Sequence, residues 1–78
     1  PVATACTSSA RALLSAHRLL QQGLCDAVIC GGVDSLCLTT LYGFAALELT
    51  SPEPCRPGDA DRQGLSIGAA AAFALLEP

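Results

Sequence analysis

The sequence contains no lysine, methionine or tryptophan, and only one histidine and three aromatic rings among its 78 residues. Charged residues make up 14% of the chain, and the four basic ones are scattered arginines, so no basic patch for nucleic acid is predicted. No apolar run approaches the ~18–20 residues of a membrane-spanning helix, and no segment has the pattern of a signal peptide. The composition therefore argues against nucleic-acid-binding and membrane-spanning proteins.

The five cysteines lack the spacing of a metal site or a disulfide framework. They contain no Cys-x-x-Cys pair, and the lone His17 has no nearby ligand partner, so no metal site is predicted. An odd number of cysteines without a secretory pattern indicates a reducing compartment, the cytoplasm. Cys25, Cys30 and Cys37 are predicted to be small buried hydrophobic residues, and Cys55 has no predicted role.

Hydrophobic residues make up 51% of the chain, which is more apolar surface than 78 residues can cover. The first residue is Pro1, and the last two residues directly follow an apolar run. No internal repeat or domain boundary is found. These features predict an interior piece of a larger α/β protein.

Polar residues recur at steps of three and four between residues 8 and 22, which predicts a helix with one polar stripe. The residues of this stripe are Arg11, Ser15, Arg18 and Gln22. Alanine and leucine cover most of the remaining circumference, so the helix is expected to be mostly buried. Thr7 and Ser8 are predicted to cap its start, and Gly23 to end it.

Two apolar runs flank this helix. Residues 2–5 are predicted to be the end of a buried strand, and residues 26–32 a strand covered on both faces. Together with the helix they predict a βαβ unit with a right-handed crossover. Gly31 and Gly32 allow the backbone either to turn sharply or to approach another segment closely.

The second half of the chain has weaker patterns. Residues 36–47 predict a helix with Gly43 in its middle, and residues 51–64, rich in proline, glycine and charge, predict a loop. Residues 65–76 form an apolar run of small residues. Helix is an open alternative there because alanine favours it, but Gly68 and the preceding loop favour a strand.

Cys6 lies where the first strand is predicted to stop and the long helix to begin. A thiol at such a turn is exposed and close to backbone N–H groups that have no partner. Those groups and the helix dipole favour the thiolate, which is the reactive form. The same amides can stabilise an oxyanion when the thiolate attacks a carbonyl carbon. Cys6 is therefore the candidate nucleophile.

Several motifs occur in an informative order. They are Thr4-Ala5-Cys6-Thr7-Ser8-Ser9-Ala10, then Gly23, Asp26-Ala27 and Gly31-Gly32-Val33-Asp34, then Arg56-Pro57 to Gly64 before a strand of small residues. In this order the chain resembles the β-ketoacyl synthases, the condensing enzymes of fatty acid and polyketide synthesis, over essentially its whole length. The resemblance implies an α/β, thiolase-like fold with two βαβαβαββ halves and buried central helices. Residues 1–78 are expected to be a fragment of the N-terminal domain, the later part of the first half.

The resemblance also implies an activity. Cys6, with its amide in the oxyanion hole, would take an acyl group from the phosphopantetheine thiol of an acyl carrier protein as a thioester. A malonyl-carrier thioester would then lose CO₂, and its carbanion would attack that thioester. The expected enzyme is an acyltransferase without a bound cofactor, and its expected partners are acyl carrier protein and a second copy in a homodimer.

The family's catalytic histidines, its lysine and its second oxyanion amide belong to the other half of the fold, outside this chain. His17 does not replace them, because it lies roughly 16 Å along the helix axis from the thiol. It is expected to pack or to make a hydrogen bond at the helix edge.

Three positions depart from the family pattern: many members have Phe at Gly58, Asp at Gln63 and an acidic residue at Ala69. Whether these departures impair activity is left open by the sequence. The neighbouring residues Asp59, Asp61 and Arg62 form either a buried ion-pair brace or a solvated loop.

Two alternative functions remain open at this point. One is a non-catalytic ketosynthase-like subunit that acts as a dimer scaffold, which the presence of Cys6 disfavours. The other is a thiolase-fold enzyme that acts on coenzyme A thioesters, which the Cys-Thr-Ser-Ser run fits less well.

The isolated 78-residue chain is expected neither to fold to a single state nor to turn over substrate. The family's sheet order is 3-2-1-4-5 with strand 5 antiparallel, so residues 26–32 and 65–76 would be neighbours. Strands 1 and 2, which separate residues 2–5 from them, are absent, and strand 3 pairs with its copy across a dimer axis. A cooperative melting transition of the purified 78-mer would contradict this expectation.

Overall fold

Two helices and two strands alternate along the chain in the computed structural model, which describes all 78 residues. The chain contains two compact units: unit 1 is Pro1–Val33 with Ala71–Pro78, and unit 2 is Asp34–Ala70. The elements in order are a 3₁₀ turn at Ala5–Thr7, α1 at Ser8–Gln21, β1 at Val28–Asp34, α2 at Leu38–Ala46 and β2 at Ala70–Leu76.

Helix α1 ends at the predicted glycine. Gly23 has a φ of +67°, in the left-handed region that glycine adopts without a Cβ penalty. Its N–H donates to Leu20 O at 3.0 Å, and the N–H of Leu24 donates to Leu19 O at 3.1 Å. This pair of hydrogen bonds is a Schellman motif, which satisfies carbonyls of the last turn.

Helix α2 ends with the same two hydrogen bonds but without glycine. Glu48 occupies the left-handed position with a φ of +58°. Its N–H donates to Ala45 O at 3.0 Å, and the N–H of Leu49 donates to Phe44 O at 3.2 Å. A residue with a Cβ is strained in this conformation, and a carboxylate at a helix C-terminus also opposes the helix dipole.

Replacing Glu48 by glycine in the full-length protein is therefore expected to raise the free energy of unfolding by about 1 kcal/mol. Gly23→Ala at the matching position of α1 is the control, with an expected loss of about 1 kcal/mol. Denaturant unfolding measures both changes. A destabilised Glu48→Gly protein would show that the backbone does not adopt this conformation at residue 48.

Strands β1 and β2 pair with each other in a two-stranded sheet, as the resemblance implied for these two segments. β1 begins two residues later than predicted and continues through Gly31 and Gly32 without a turn. β2 begins at Ala70 instead of residue 65, and Leu65 forms an isolated parallel bridge with Thr50. The helical alternative for the last segment is wrong, since residues 70–76 are extended.

The predicted strand at residues 2–5 is absent. Residues 1–4 have no regular structure and Ala5 begins the 3₁₀ turn, so the βαβ unit predicted around α1 is not formed. A strand requires a neighbour to pair its backbone groups, and the only sheet in the chain consists of β1 and β2. The predicted side-chain cap of α1 is also absent: Thr7 is the N-cap residue, but it makes no cap hydrogen bond.

Burial is much lower than predicted. Ala16 is the only buried hydrophobic residue, whereas Ile29 in β1 is 74% exposed. The expectations of a mostly buried α1 and of a β1 covered on both faces are therefore wrong for this chain. Within unit 1, one helix and a two-stranded sheet have too little surface to cover each other. Neither α1 nor α2 has the length and hydropathy of a membrane-spanning helix.

Candidate functional site

Cys6 lies in the middle of the 3₁₀ turn and is exposed, directly ahead of α1. The first hydrogen bond of the turn runs from the N–H of Thr7 to Thr4 O at 3.3 Å. Cys6 comes before Thr7 in the chain. Its N–H is therefore one of the first-turn donors that have no acceptor within the helix. The sequence-based placement of an exposed thiol and a free amide at the start of α1 agrees with this geometry.

The residue before the thiol has an unusual backbone conformation. Ala5 has a φ of +52°, which lies in the left-handed region and costs a residue with a Cβ about 1 kcal/mol. Such conformations persist when the surrounding contacts hold them, and they cluster at functional sites. The turn that presents Cys6 is therefore held in place by its neighbours.

Three hydroxyl groups, those of Thr4, Thr7 and Ser8, form what we call the hydroxyl clamp. Ser8 Oγ accepts a hydrogen bond from the N–H of Thr4 at 2.9 Å and donates to Ala5 O at 2.7 Å. Thr7 Oγ1 lies 2.8 Å from Thr4 O and 2.9 Å from Thr4 Oγ1. The hydroxyls of Thr7 and Ser8 thus bond backward along the chain instead of capping α1.

The clamp is the part of this turn that the sequence interpretation missed, because it assigned Thr7 and Ser8 to helix capping. The signal was present in the sequence: Thr7 and Ser8 follow Thr4 by three and four residues. Short hydroxyl side chains at such spacings compete for nearby backbone groups. Capping and backward bonding use the same residue types, so the pattern alone does not distinguish them.

The two glycines of β1 contact different elements of unit 1. A Cβ on Gly31 would overlap the carbonyl oxygen of Ala72 and lie 2.8 Å from Phe73 Cα, so glycine is required for the close approach of β1 to β2. A Cβ on Gly32 would lie 3.6 Å from Ser9 Oγ at the start of α1, an ordinary contact. Of the two roles predicted for this pair, close approach is the one that the structure contains.

In unit 2, the loop at residues 51–64 contains hydrogen bonds to the backbone and no ion-pair brace. Arg62 Nη1 donates to the backbone carbonyl of Asp59 at 2.9 Å, and Arg56 Nη2 donates to that of Asp61 at 3.3 Å. The Asp59 carboxylate instead accepts the N–H of Asp61 at 2.7 Å. Asp61 and Arg62 are exposed. The solvated loop is therefore the correct alternative.

Backbone conformation accounts for one departure from the family pattern. Gly58 has a φ of +78°, and the N–H of Asp59 donates to Arg56 O at 3.1 Å, as in a type II turn with Pro57 and Gly58 at its centre. The phenylalanine that many family members carry at this position would be strained in such a turn. Nothing in the structure explains the residues at Gln63 and Ala69.

Gly64, which ends the motif, is required by the backbone as well. Its φ is +129°, and a Cβ would lie 3.1 Å from Ser51 N and closer still to Leu49 O. The glycine therefore permits residues 64 and 65 to run beside residues 49–51.

A second exposed thiol, Cys37, lies at the N-cap position of α2 in unit 2. Its Sγ is 3.1 Å from Thr40 Oγ1, and this hydrogen bond lowers the pKa of the thiol. The prediction that Cys37 is buried is wrong for this chain, and Cys25 and Cys30 are half-buried.

The remaining candidate side chains do not come together as a metal site. His17 is exposed on α1, so it is not packed as expected, and no group of three histidine, cysteine or acidic side chains could hold a metal ion. Cys6 is thus the single predicted site residue, and the structure places it beside the hydroxyl clamp.

Comparison with known proteins identifies the family. The family model described as "Beta-ketoacyl synthase, N-terminal domain" matches residues 1–78. The chain belongs to the β-ketoacyl synthase family. The resemblance stated from the Thr-Ala-Cys-Thr-Ser-Ser and Arg-Pro motifs is confirmed by this match.

Two curated relatives illustrate the similarity. The chain is 40% identical over 84 residues to "3-oxoacyl-[acyl-carrier-protein] synthase 2" of Rhizobium meliloti (strain 1021), a match covering 97% of this chain and 20% of the relative. It is 36% identical over 77 residues to "Nodulation protein E" of Rhizobium leguminosarum bv. trifolii, covering 97% and 19%. The chain therefore spans about a fifth of the length of these relatives.

A solved ketosynthase has the same fold. The structure described as "Ketosynthase (ApeO) in Complex with its Chain Length Factor (ApeC) from Xenorhabdus doucetiae" matches with a TM-score of 0.91 and 47% sequence identity. The match covers 97% of this chain and 19% of that chain. The predicted fold class, α/β and part of a thiolase-like domain, is confirmed, and the names of the relatives place the family among the acyltransferases.

Proposed function

We propose that the protein is a β-ketoacyl-(acyl-carrier-protein) synthase that catalyses a decarboxylative Claisen condensation through an acyl thioester on Cys6. One observation carries the proposal: in a chain of this family, a cysteine is exposed in the turn directly before α1 with its N–H ahead of the first hydrogen bond.

The proposed reaction has two steps. In the first, Cys6 Sγ attacks the thioester carbonyl of an acyl group carried on phosphopantetheine, the carbon–sulfur bond to the carrier breaks, and the carrier thiol is released. In the second, the malonyl-carrier thioester loses CO₂, its carbanion attacks the Cys6 thioester, and the Cys6 thiolate leaves. The product is a 3-oxoacyl-carrier thioester, two carbons longer than the starting acyl group.

The residues of this chain would contribute the nucleophile and one oxyanion donor. Negative charge develops on the carbonyl oxygen in both steps, and a fixed N–H aimed at that oxygen stabilises the transition state more than the ground state. The N–H of Cys6 is attached to the reacting residue, so its direction is set by the same turn that presents the thiol.

The proposed partners are acyl carrier protein and a second ketosynthase-type chain. Carrier dependence is supported by the relative named "3-oxoacyl-[acyl-carrier-protein] synthase 2". A homodimer is the first candidate assembly, and a complex with a chain length factor is the second, because ApeO at 47% identity was solved with one. We further propose that the enzyme has no bound cofactor, acts in the cytoplasm and serves fatty acid or polyketide synthesis.

Acyl loading of the full-length protein tests the proposed function. The protein is incubated with an acyl-carrier thioester, and its intact mass is measured before proteolysis and peptide mapping. The expected result is one acyl adduct on the peptide that contains Cys6, which disappears when malonyl-carrier is added and 3-oxoacyl-carrier forms. Loading at a different cysteine would contradict the proposal, and an absence of loading would favour the scaffold alternative.

A further inference from the structure

We propose that Ser8 is a positioning residue for the nucleophile, an inference that rests on the proposed function of Cys6. Ser8 Oγ accepts from the N–H of Thr4 and donates to the carbonyl of Ala5, at 2.9 and 2.7 Å. These two bonds connect the first residue of α1 to the two residues on the N-terminal side of the thiol.

Ser8 is the member of the hydroxyl clamp that acts on the strained residue. Thr7 Oγ1 contacts only Thr4, whereas Ser8 bonds the carbonyl of Ala5, whose φ is +52°. The N–H of Ser8 also donates to Ala5 O, so backbone and side chain of one residue hold the same carbonyl. Left-handed conformations at residues with a Cβ persist only when several contacts hold them.

Loss of this hydroxyl would allow Ala5 to return to a favoured backbone conformation. The peptide group between Ala5 and Cys6 rotates in that change, and this group contains the N–H assigned to the oxyanion hole. The thiol and the amide would therefore move together relative to the start of α1. Because neither group selects the substrate, the change should affect the rate of acyl transfer and leave substrate binding nearly unaltered.

Variants of the full-length protein test this role. Ser8→Ala is expected to lower the limiting rate of acyl transfer to Cys6 by about ten-fold or more, with the KM for acyl-carrier unchanged within about two-fold. Ser8→Thr retains the hydroxyl and is expected to restore most of the rate. Ser9→Ala, at the neighbouring serine outside the clamp, is the matched control and is expected to load at the normal rate.

The pair Ser8→Thr and Ser8→Val separates the hydrogen bonds from side-chain shape, because valine has a methyl group of similar size in place of the threonine hydroxyl. It also keeps the inference testable if the alanine variant does not fold, as judged by circular dichroism. Equal loading rates for the Thr and Val variants, or a normal rate for Ser8→Ala, would overturn the positioning role while Cys6 loading stands. A wild-type protein that fails to load Cys6 would instead refute the proposed function, and the positioning role with it.

Discussion

Replacement of Cys6 by alanine in the full-length protein is expected to abolish formation of the acyl-enzyme, with a loss of condensation rate on the order of 10³-fold or more. The physical reason is that alanine has no group that can form the thioester, so the two-step route is closed. Transfer of a radiolabelled acyl group from the carrier to the protein measures the effect. If the Cys6→Ala protein still carried the label after denaturation, Cys6 would not be the nucleophile.

Cys37→Ala is the matched control for this experiment. Both thiols are exposed, and each lies at the start of a helix. Cys37 also has a lowered pKa through its hydrogen bond with Thr40, so this thiol tests whether acyl loading follows general thiol reactivity. The Cys37→Ala protein is nevertheless expected to load normally. If the Cys37→Ala protein did not load and the Cys6→Ala protein still did, the nucleophile would be Cys37.

Gly31→Ala is expected to be the most destabilising single substitution in the sheet, at about 3 kcal/mol. The new methyl group would overlap the carbonyl oxygen of Ala72 and crowd Phe73, which are parts of the paired strand β2. Backbone atoms cannot rotate away as a side chain can, so the two strands must separate. The shift of the denaturant midpoint of the full-length protein measures the loss.

Gly32→Ala provides the comparison at the adjacent residue of β1. Its methyl group would meet Ser9 Oγ at 3.6 Å, which is van der Waals contact, and its expected effect is within about 1 kcal/mol of zero. Both substitutions add one methyl group, so a difference in their loss of stability measures the effect of the contact between Gly31 and β2. Equal destabilisation would mean that β1 and β2 do not approach each other at Gly31.

Local sequence patterns identified the elements whose causes are local. The step of three and four residues along α1, and Gly23 at its end, predicted a helix that differs from the observed Ser8–Gln21 by one residue. The proline and glycine content of residues 51–64 predicted the loop, because these residues restrict or free the backbone locally. The motifs around Cys6 also led to the correct family, because a run of specific residues is informative without any tertiary contact.

Predictions that depended on distant neighbours were less successful. Residues 2–5 have strand-like composition, but a strand forms only when another strand satisfies its backbone groups, and none lies beside them. Burial of α1 and β1 likewise depends on which other segments pack against them, and Ala16 is the one hydrophobic residue that is buried. The choice between the ion-pair brace and the solvated loop depended on the partner of the Arg62 guanidinium. In the structure that partner is the backbone carbonyl of Asp59.

The sequence by itself determined the family, the two helices and the identity of the candidate nucleophile, since these follow from residue type and spacing along one segment. Only the tertiary structure decided the left-handed conformation of Ala5, the backward bonding of Ser8 and the need for glycine at position 31. The physical reason is that hydroxyl groups and glycines each permit several conformations. The contacts that select among them come from the folded arrangement of the chain.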